Sequence, residues 1–239
     1  PITVIRFGQI KWLRRLAKRS KLKQLLSQKT VDVVVFDSWK SAEYLSDLVQ
    51  KPTLKWVYAH GNELLPKQTA KHVLRLHNSL SNNDQIIAVS SVAQLLLKPY
   101  VSKDKRIAVI HNPVTIPPEW IRTASNRPIR HWLTIARLEP RKGIDKVIQA
   151  LPSLIGDYPD LSYTIIGIGS DEKRLRELAE QYQVTAYVNF TGSVDQIKKY
   201  QTLEQADAFI MPTRIEQSNR SIEGLGIAFI EAMAMGLPV

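Results

Sequence analysis

The sequence predicts an α/β chain built on two separate parallel sheets, and three observations carry that reading. Short β-branched or apolar runs alternate with helical patterns at the lengths of βαβ units. The alternation occurs twice, and a proline-rich stretch without periodicity divides the two series. With 239 residues, 44% of them hydrophobic and 23% charged, the chain is large enough for one or two cores. Two α/β series on either side of a linker predict a cleft between domains, with ligands held at the carboxyl ends of the strands.

The first domain is expected over residues 1–112. It opens on a basic segment, residues 10–29, which contains Lys11, Arg14, Arg15, Lys18, Arg19, Lys21, Lys23 and Lys29 and no acid. Trp12, Leu13, Leu16 and Ala17 share one helical face, and Leu22, Leu25 and Leu26 form another. The two faces are out of phase, which predicts a kink or two helices near Ser20. Such a segment suits the surface of an anionic membrane; it equally suits a helix lying on a sheet with its basic face in water. Residues 31–38 are a near-continuous β-branched run, expected as a parallel strand buried on both faces. A helix over 40–50, a strand over 55–60, a helix over 67–80, a strand over 85–89, a helix to residue 100 capped by Ser90 or Ser91, and a strand over 107–110 complete the series.

Residues 113–130 hold four of the prolines and read as the linker. The alternation restarts in a second domain, 131–239, with strands at 131–138, 161–167, 187–192 and 207–211 and helices at 143–155, 171–182 and 195–205. Ile144, Val147, Ile148 and Leu151 give the first of these helices an apolar stripe. Near the end, Ile227, Ile230, Met233 and Ala234 recur at helical spacing, predicting a short buried helix that stops at Gly236.

Composition bounds the function. No run of 18 apolar residues is present, so no spanning helix is expected, and the start at Pro1 carries no basic-then-apolar leader. Zero cysteines exclude disulfides and thiolate-bound metals. The net charge of +11 favours anionic partners, whether nucleotides, phospholipids or nucleic acid. Because the positive residues concentrate in one segment without a recognised reading motif, nucleic acid is not expected as a partner. The chain begins without Met and stops at Val239 where another strand is due, so both domains read as truncated and the piece as one that is poorly folded or inactive alone.

Three stretches carry chemistry. Glu223 is followed by Gly224, Leu225, Gly226 and Ile227, and Glu231 comes eight positions after Glu223. The glycines allow a tight loop whose N–H groups approach a ligand, and the helix start behind them favours an anion. Arg137 is expected to end a strand and Lys142 to open the next helix, so a fork-shaped and a compact cation both point at a diphosphate. Gly167 and Gly169 flank Ile168 in a turn after the second strand of this domain, but the full dinucleotide G-x-G-x-x-G is absent, which argues against a nicotinamide or flavin site. In the first domain His60 stands at a strand's carboxyl end before Gly61. The bland alternative makes Glu223 a solvated loop residue, Glu231 a local cap, and Arg137 and Lys142 surface decoration.

Taken in order, Pro212-Thr213, Glu223-Gly-x-Gly, an apolar helix and Glu231-Ala-x-Ala-x-Gly resemble the E-x7-E element of family 4 retaining glycosyltransferases. Residues 136–143 resemble the G-R-L-x-x-x-K-G signature of the same family, with Ala136 in place of its first glycine. The resemblance implies the GT-B fold, two Rossmann-like domains facing a cleft. It implies hexosyl transfer with retention from a nucleoside-diphosphate sugar to a glycan or lipid acceptor, with no cofactor. It implies donor-diphosphate contacts at Arg137 and Lys142, ribose hydroxyls on Glu231, donor-sugar hydroxyls on Glu223, and backbone contacts from Gly224, Leu225, Gly226 and Ile227. Gly167 and Gly169 would run close to the nucleotide, and His60 would touch the donor sugar or its phosphate. No D-x-D occurs, in keeping with metal-independent transfer. The expected location is cytoplasmic, peripheral at the inner membrane face. Two other readings stand beside this one: a GT-B nucleotide-sugar epimerase, and a non-catalytic membrane- or polyanion-binding module driven by residues 10–29.

Overall fold

The computed structural model describes residues 3–7, 10–65, 69–120, 128–214 and 226–239. The chain divides into two compact units, Pro1–His111 and Asn112–Val239. Each carries its own parallel sheet, as the alternation predicts.

The first unit is ordered α1 (Lys11–Gln28), β1 (Val33–Phe36), α2 (Trp39–Leu45), β2 (Leu54–Ala59), α3 (Ala70–Ser81), β3 (Gln85–Ala88), α4 (Ser91–Leu97) and β4 (Ile107–Val109). Its sheet runs β1-β2-β3-β4, every pair parallel. Polar side chains cap the helices: at strand exits Ser38 accepts from the N–H of Ser41 and Ser90 from that of Ala93, and further from its strand Thr69 accepts from that of His72. The core gathers Phe36, Trp39, Val57, Leu76, Leu80, Ile86 and Leu97.

Two expectations fail in this unit. Helix α1 runs through Ser20 as one helix rather than as two. The two apolar faces differ because only the second half docks: Leu22 and Leu26 pack on the core, whereas Trp12, Leu13 and Leu16 stand exposed. Arg19 fixes the helix midway by donating to the Tyr44 carbonyl at 2.6 Å and to the Asp47 carboxylate at 2.6 and 2.8 Å. Strand β1 is not buried on both faces either; it lies at the edge of the described sheet, and Val35 is exposed.

The second unit is ordered β5 (His131–Ile135), α5 (Ile144–Leu154), β6 (Ser162–Ile166), α6 (Glu172–Gln181), β7 (Val188–Gly192), α7 (Gln196–Gln205), β8 (Ala208–Phe209) and α8 (Ile227–Ala234). The sheet order is β7-β6-β5-β8, again all parallel. Central strand β5 therefore sends its carboxyl-end loop out between those of β6 and β8. One apolar cluster, with Ile148, Leu151, Tyr163 and Leu175, lies under α5 and α6; a second, with Leu133, Tyr200, Phe209 and Met235, lies under α7 and α8. Residues from the proline-rich stretch join the second cluster, where Ile116 packs and the Trp120 ring meets Tyr200 at 5.8 Å between centroids.

Helix α8 buries a different face from the one predicted. Ile227, Met233 and Ala234 are exposed, while Ala228, Phe229 and Ala232 pack inward and Met235 and Leu237 follow them into the core. A helix apolar at every position but Glu231 leaves its inward direction poorly defined; here contact of Phe229 with Phe209, 5.2 Å between ring centroids, sets it.

Candidate functional site

At the carboxyl edge of the second sheet the pairing of β5 with β6 continues past both strands. The Ala136 N–H donates to the Ile166 carbonyl at 3.0 Å, Leu138 to Ile168 at 3.0 Å, and Asp171 to Leu138 at 3.1 Å. This close approach explains the two glycines of the turn. A Cβ on Gly167 would collide with the Ala136 carbonyl oxygen, and one on Gly169 with that of Leu138. Gly167 also sits at φ 144°, and its N–H is bonded to the Gly192 carbonyl at 2.9 Å. Both glycines are thus required by loop-on-loop packing alone.

The loop after β5 then makes a short 3-10 turn, Pro140–Lys142, before α5. Arg137 does not end the strand, which stops at Ile135, and Lys142 does not open the helix, which begins at Ile144 after the left-handed Gly143. Proline at the first position of the turn and glycine at its end separate strand and helix by more residues than the alternation suggested. Arg137 projects outward, with 71% of its side chain exposed, and pairs with Glu139 at 2.8 Å. Arg141, buried, takes the other oxygen of Glu139 at 3.0 Å. Lys142 is also buried.

The loop after β8 is laid against this turn. A Cβ on Gly143 would overlap the Pro212 carbonyl oxygen, and the Arg214 N–H donates to the Arg141 carbonyl at 2.9 Å. The Arg214 guanidinium grips buried Asp145 with two bonds, 2.9 and 3.1 Å. Arg174 lies 3.9 Å from the same carboxylate and pairs with Asp171 through two bonds of 2.6 Å. The hydrogen bond to Asp171 raises the Arg174 pKa above its ordinary value, with burial opposing. Sequence reasoning missed this network. Its one local signal was Asp145, an acid beside the apolar stripe of α5, which a buried position obliges to find a cation.

Helix α8 starts from Gly226 at φ 70°, and Ile227 is exposed at its first position. Glu231, on the same helix, is paired with Lys199 of α7 at 2.6 Å, both side chains largely buried. Glu223, Gly224 and Leu225 lie outside the described residues. Ala136, Ala228 and Phe229 pack on one apolar cluster, so the exit of β5 and the start of α8 share a support.

In the first unit His60 directly follows β2, exposed, and its ring stacks on Tyr58 with centroids 6.2 Å apart. Its Nε2 is 2.9 Å from the Asp37 carbonyl, which can only accept, so Nε2 carries the proton of this bond. The His60 N–H donates to Glu63 at 2.6 Å, closing the turn through Gly61.

Comparison with known proteins adds to this geometry. Residues 124–239 match the family described as glycosyl transferases group 1. The chain is 42% identical over 104 residues to the GDP-mannose-dependent monoacylated alpha-(1-6)-phosphatidylinositol monomannoside mannosyltransferase of Corynebacterium glutamicum, covering 44% of this chain and 27% of that protein. It is 29% identical over 191 residues to the amylovoran biosynthesis glycosyltransferase AmsK of Erwinia amylovora, covering 75% of this chain and 44% of that one. The chain thus spans less than half the length of these relatives. Among solved structures, Anabaena Alr3699/HepE in complex with UDP superposes with a TM-score of 0.72 at 18% identity, over 95% of this chain and 64% of that one. That likeness, at low identity, is one of fold: parallel α/β sheets in two sets, as in GT-B glycosyltransferases.

Proposed function

We propose, from the match of residues 124–239 to the glycosyl transferases group 1 family, that the protein is a retaining hexosyltransferase. It moves a sugar from a nucleoside diphosphate to a glycan or lipid acceptor. The supporting observation is the carboxyl edge of β5, where an exposed arginine, Arg137, is carried on a loop that backbone pairing and glycine packing hold rigid. In this reading the diphosphate leaves the anomeric carbon, the acceptor oxygen attacks from the same face, and its proton passes to a phosphate oxygen of the departing group. Arg137 and Lys142 stabilise the charge that develops on the diphosphate. Glu231 receives the ribose hydroxyls, sharing its carboxylate with Lys199. Gly167 and Gly169 keep the neighbouring loop low enough for the nucleotide to approach. The backbone of Gly224, Leu225, Gly226 and Ile227 contributes to the sugar-phosphate site, and Glu223 orients the donor sugar.

Sequence likeness to a GDP-mannose-dependent mannosyltransferase makes GDP-mannose the donor to test first. Calorimetric titration of the whole protein with GDP, UDP and ADP is expected to give tight binding of one nucleotide. Arg137→Ala should weaken that binding about tenfold or more, the contribution of a charge-assisted arginine–phosphate contact. Folded protein that binds none of the three overturns the reading.

For the acceptor side we propose contact with an anionic membrane through residues 10–29. Support comes from the first half of α1, which exposes Trp12, Leu13 and Leu16 among Arg14, Arg15 and Lys18. Among the described residues no helix is long and apolar enough to cross a membrane, so the contact proposed is with the surface. Vesicles containing phosphatidylserine should bind the protein in a salt-sensitive way, and the Trp12→Ala/Leu16→Ala protein should bind them several-fold more weakly. Equal binding of the variant removes α1 from the interaction. Vesicle binding by a protein that takes no nucleotide favours the non-catalytic module.

A further inference from the structure

We infer that Glu139 is the carboxylate that takes Arg137 back from the diphosphate after transfer, and so sets how tightly the nucleoside diphosphate product is held. The inference rests on the reading of Arg137 as a diphosphate contact.

Two arginines share this one carboxylate. Arg137 approaches one Glu139 oxygen at 2.8 Å with 71% of its side chain exposed, and Arg141 donates to the other at 3.0 Å with 5% exposed. The two bonds are unequal in consequence. An exposed ion pair is weak and exchanges readily, whereas breaking a buried one strands a charge away from water. Arg137 is therefore the partner able to leave. When it turns to a diphosphate, Glu139 keeps Arg141 and no uncompensated carboxylate remains, so the exchange costs little.

Glu139 is held by its bond to buried Arg141 and by the turn itself. Its carbonyl accepts from the Lys142 N–H at 2.9 Å, and the Gly143 N–H closes on Pro140 at 3.2 Å, fixing the turn that carries it. The carboxylate stays within reach of Arg137 throughout and competes with any anion bound there. Once the sugar has moved, the product is an anion gripped by cations, and its departure is a step that sets turnover in many enzymes. A fixed competitor for Arg137 speeds that departure. Loss of the carboxylate should consequently tighten product binding, the opposite of what structural damage would do.

The test uses the whole protein, wild type, Glu139→Gln, Arg137→Ala and the double variant, titrated with GDP and UDP and assayed for inhibition by the nucleotide that binds. Glu139→Gln should lower the dissociation constant about threefold, the scale of one exposed ion pair, with stronger product inhibition and no rise in kcat. Arg137→Ala should lose affinity, and the double variant should show no gain over Arg137→Ala. Thermal melting checks each fold, and Glu139→Ala replaces the glutamine variant if that one does not fold. Unchanged or weaker nucleotide binding in Glu139→Gln overturns the inference while leaving Arg137 as a contact. A threefold gain that persists without Arg137 means simple repulsion and also overturns it. Wild-type binding by Arg137→Ala shows instead that the underlying reading of Arg137 is wrong.

Discussion

Glu223→Gln is expected to bind the donor nucleotide like wild type and to transfer sugar at least about 100-fold more slowly, the scale lost when one group that stabilises the transition state is removed. The substitution changes one oxygen for an amide nitrogen, so it keeps size and removes charge. A carboxylate that orients donor hydroxyls holds them most strongly as the anomeric carbon becomes positive, which places the loss in kcat more than in KM. Glu223 itself lies outside the described residues. The described residues on either side are held in place: Arg214 is bonded twice to buried Asp145, and Gly226 starts α8 in the left-handed conformation. Transfer by Glu223→Gln at the wild-type rate, measured with purified donor and acceptor, would remove this residue from the mechanism.

Gly143→Ala should destabilise the second unit by about 3 kcal/mol or more, combining a left-handed backbone that a side chain disfavours with a steric collision. The glycine sits at φ 71°, and the atom its Cβ would strike is the backbone oxygen of Pro212, which cannot rotate away. Relief requires the loop after β8 to lift off the turn after β5, straining the Arg214 bonds to Arg141 and Asp145. Gly156→Ala is the matched control: nothing lies within 4 Å of its added Cβ. It should change stability by less than about 1 kcal/mol, or raise it slightly by restricting the unfolded chain. Chemical denaturation compares the two, and equal stability would mean that the turn and the loop do not hold one another.

Much of the fold was legible because its cause is local. A β-branched run such as 31–38 and a stripe such as Ile144, Val147, Ile148 and Leu151 declare strand and helix without reference to the rest of the chain. The cap at Ser90 was readable for the same reason, since its hydroxyl meets an N–H three residues on. Errors came where pattern underdetermines packing. The two faces of α1 suggested a kink or two helices, whereas one continuous helix extends beyond the surface that buries its second half. Apolar residues surround α8, so periodicity could not choose its inner face, and Phe209 did. In the site, the residue types of Arg137, Lys142 and Glu231 drew attention, but their surroundings were out of reach: one cation is solvated, one is buried, and the glutamate is paired.

The sequence alone determined that this protein is α/β, that its elements form two parallel series, and that glycines and charged residues collect where strands give way to helices. These follow from backbone preference and from the period of apolar side chains, which act over a few residues. Only the tertiary structure decided which charges meet. Asp145 and Arg214 lie 69 positions apart, and Lys199 and Glu231 lie 32 apart. No period links such pairs; they form because burial leaves each charge a choice between a partner and a large desolvation cost, and the sheet order sets which partner is near. The same holds for Gly167 and Gly169, whose need for a missing side chain arises from a neighbouring loop that follows a different strand.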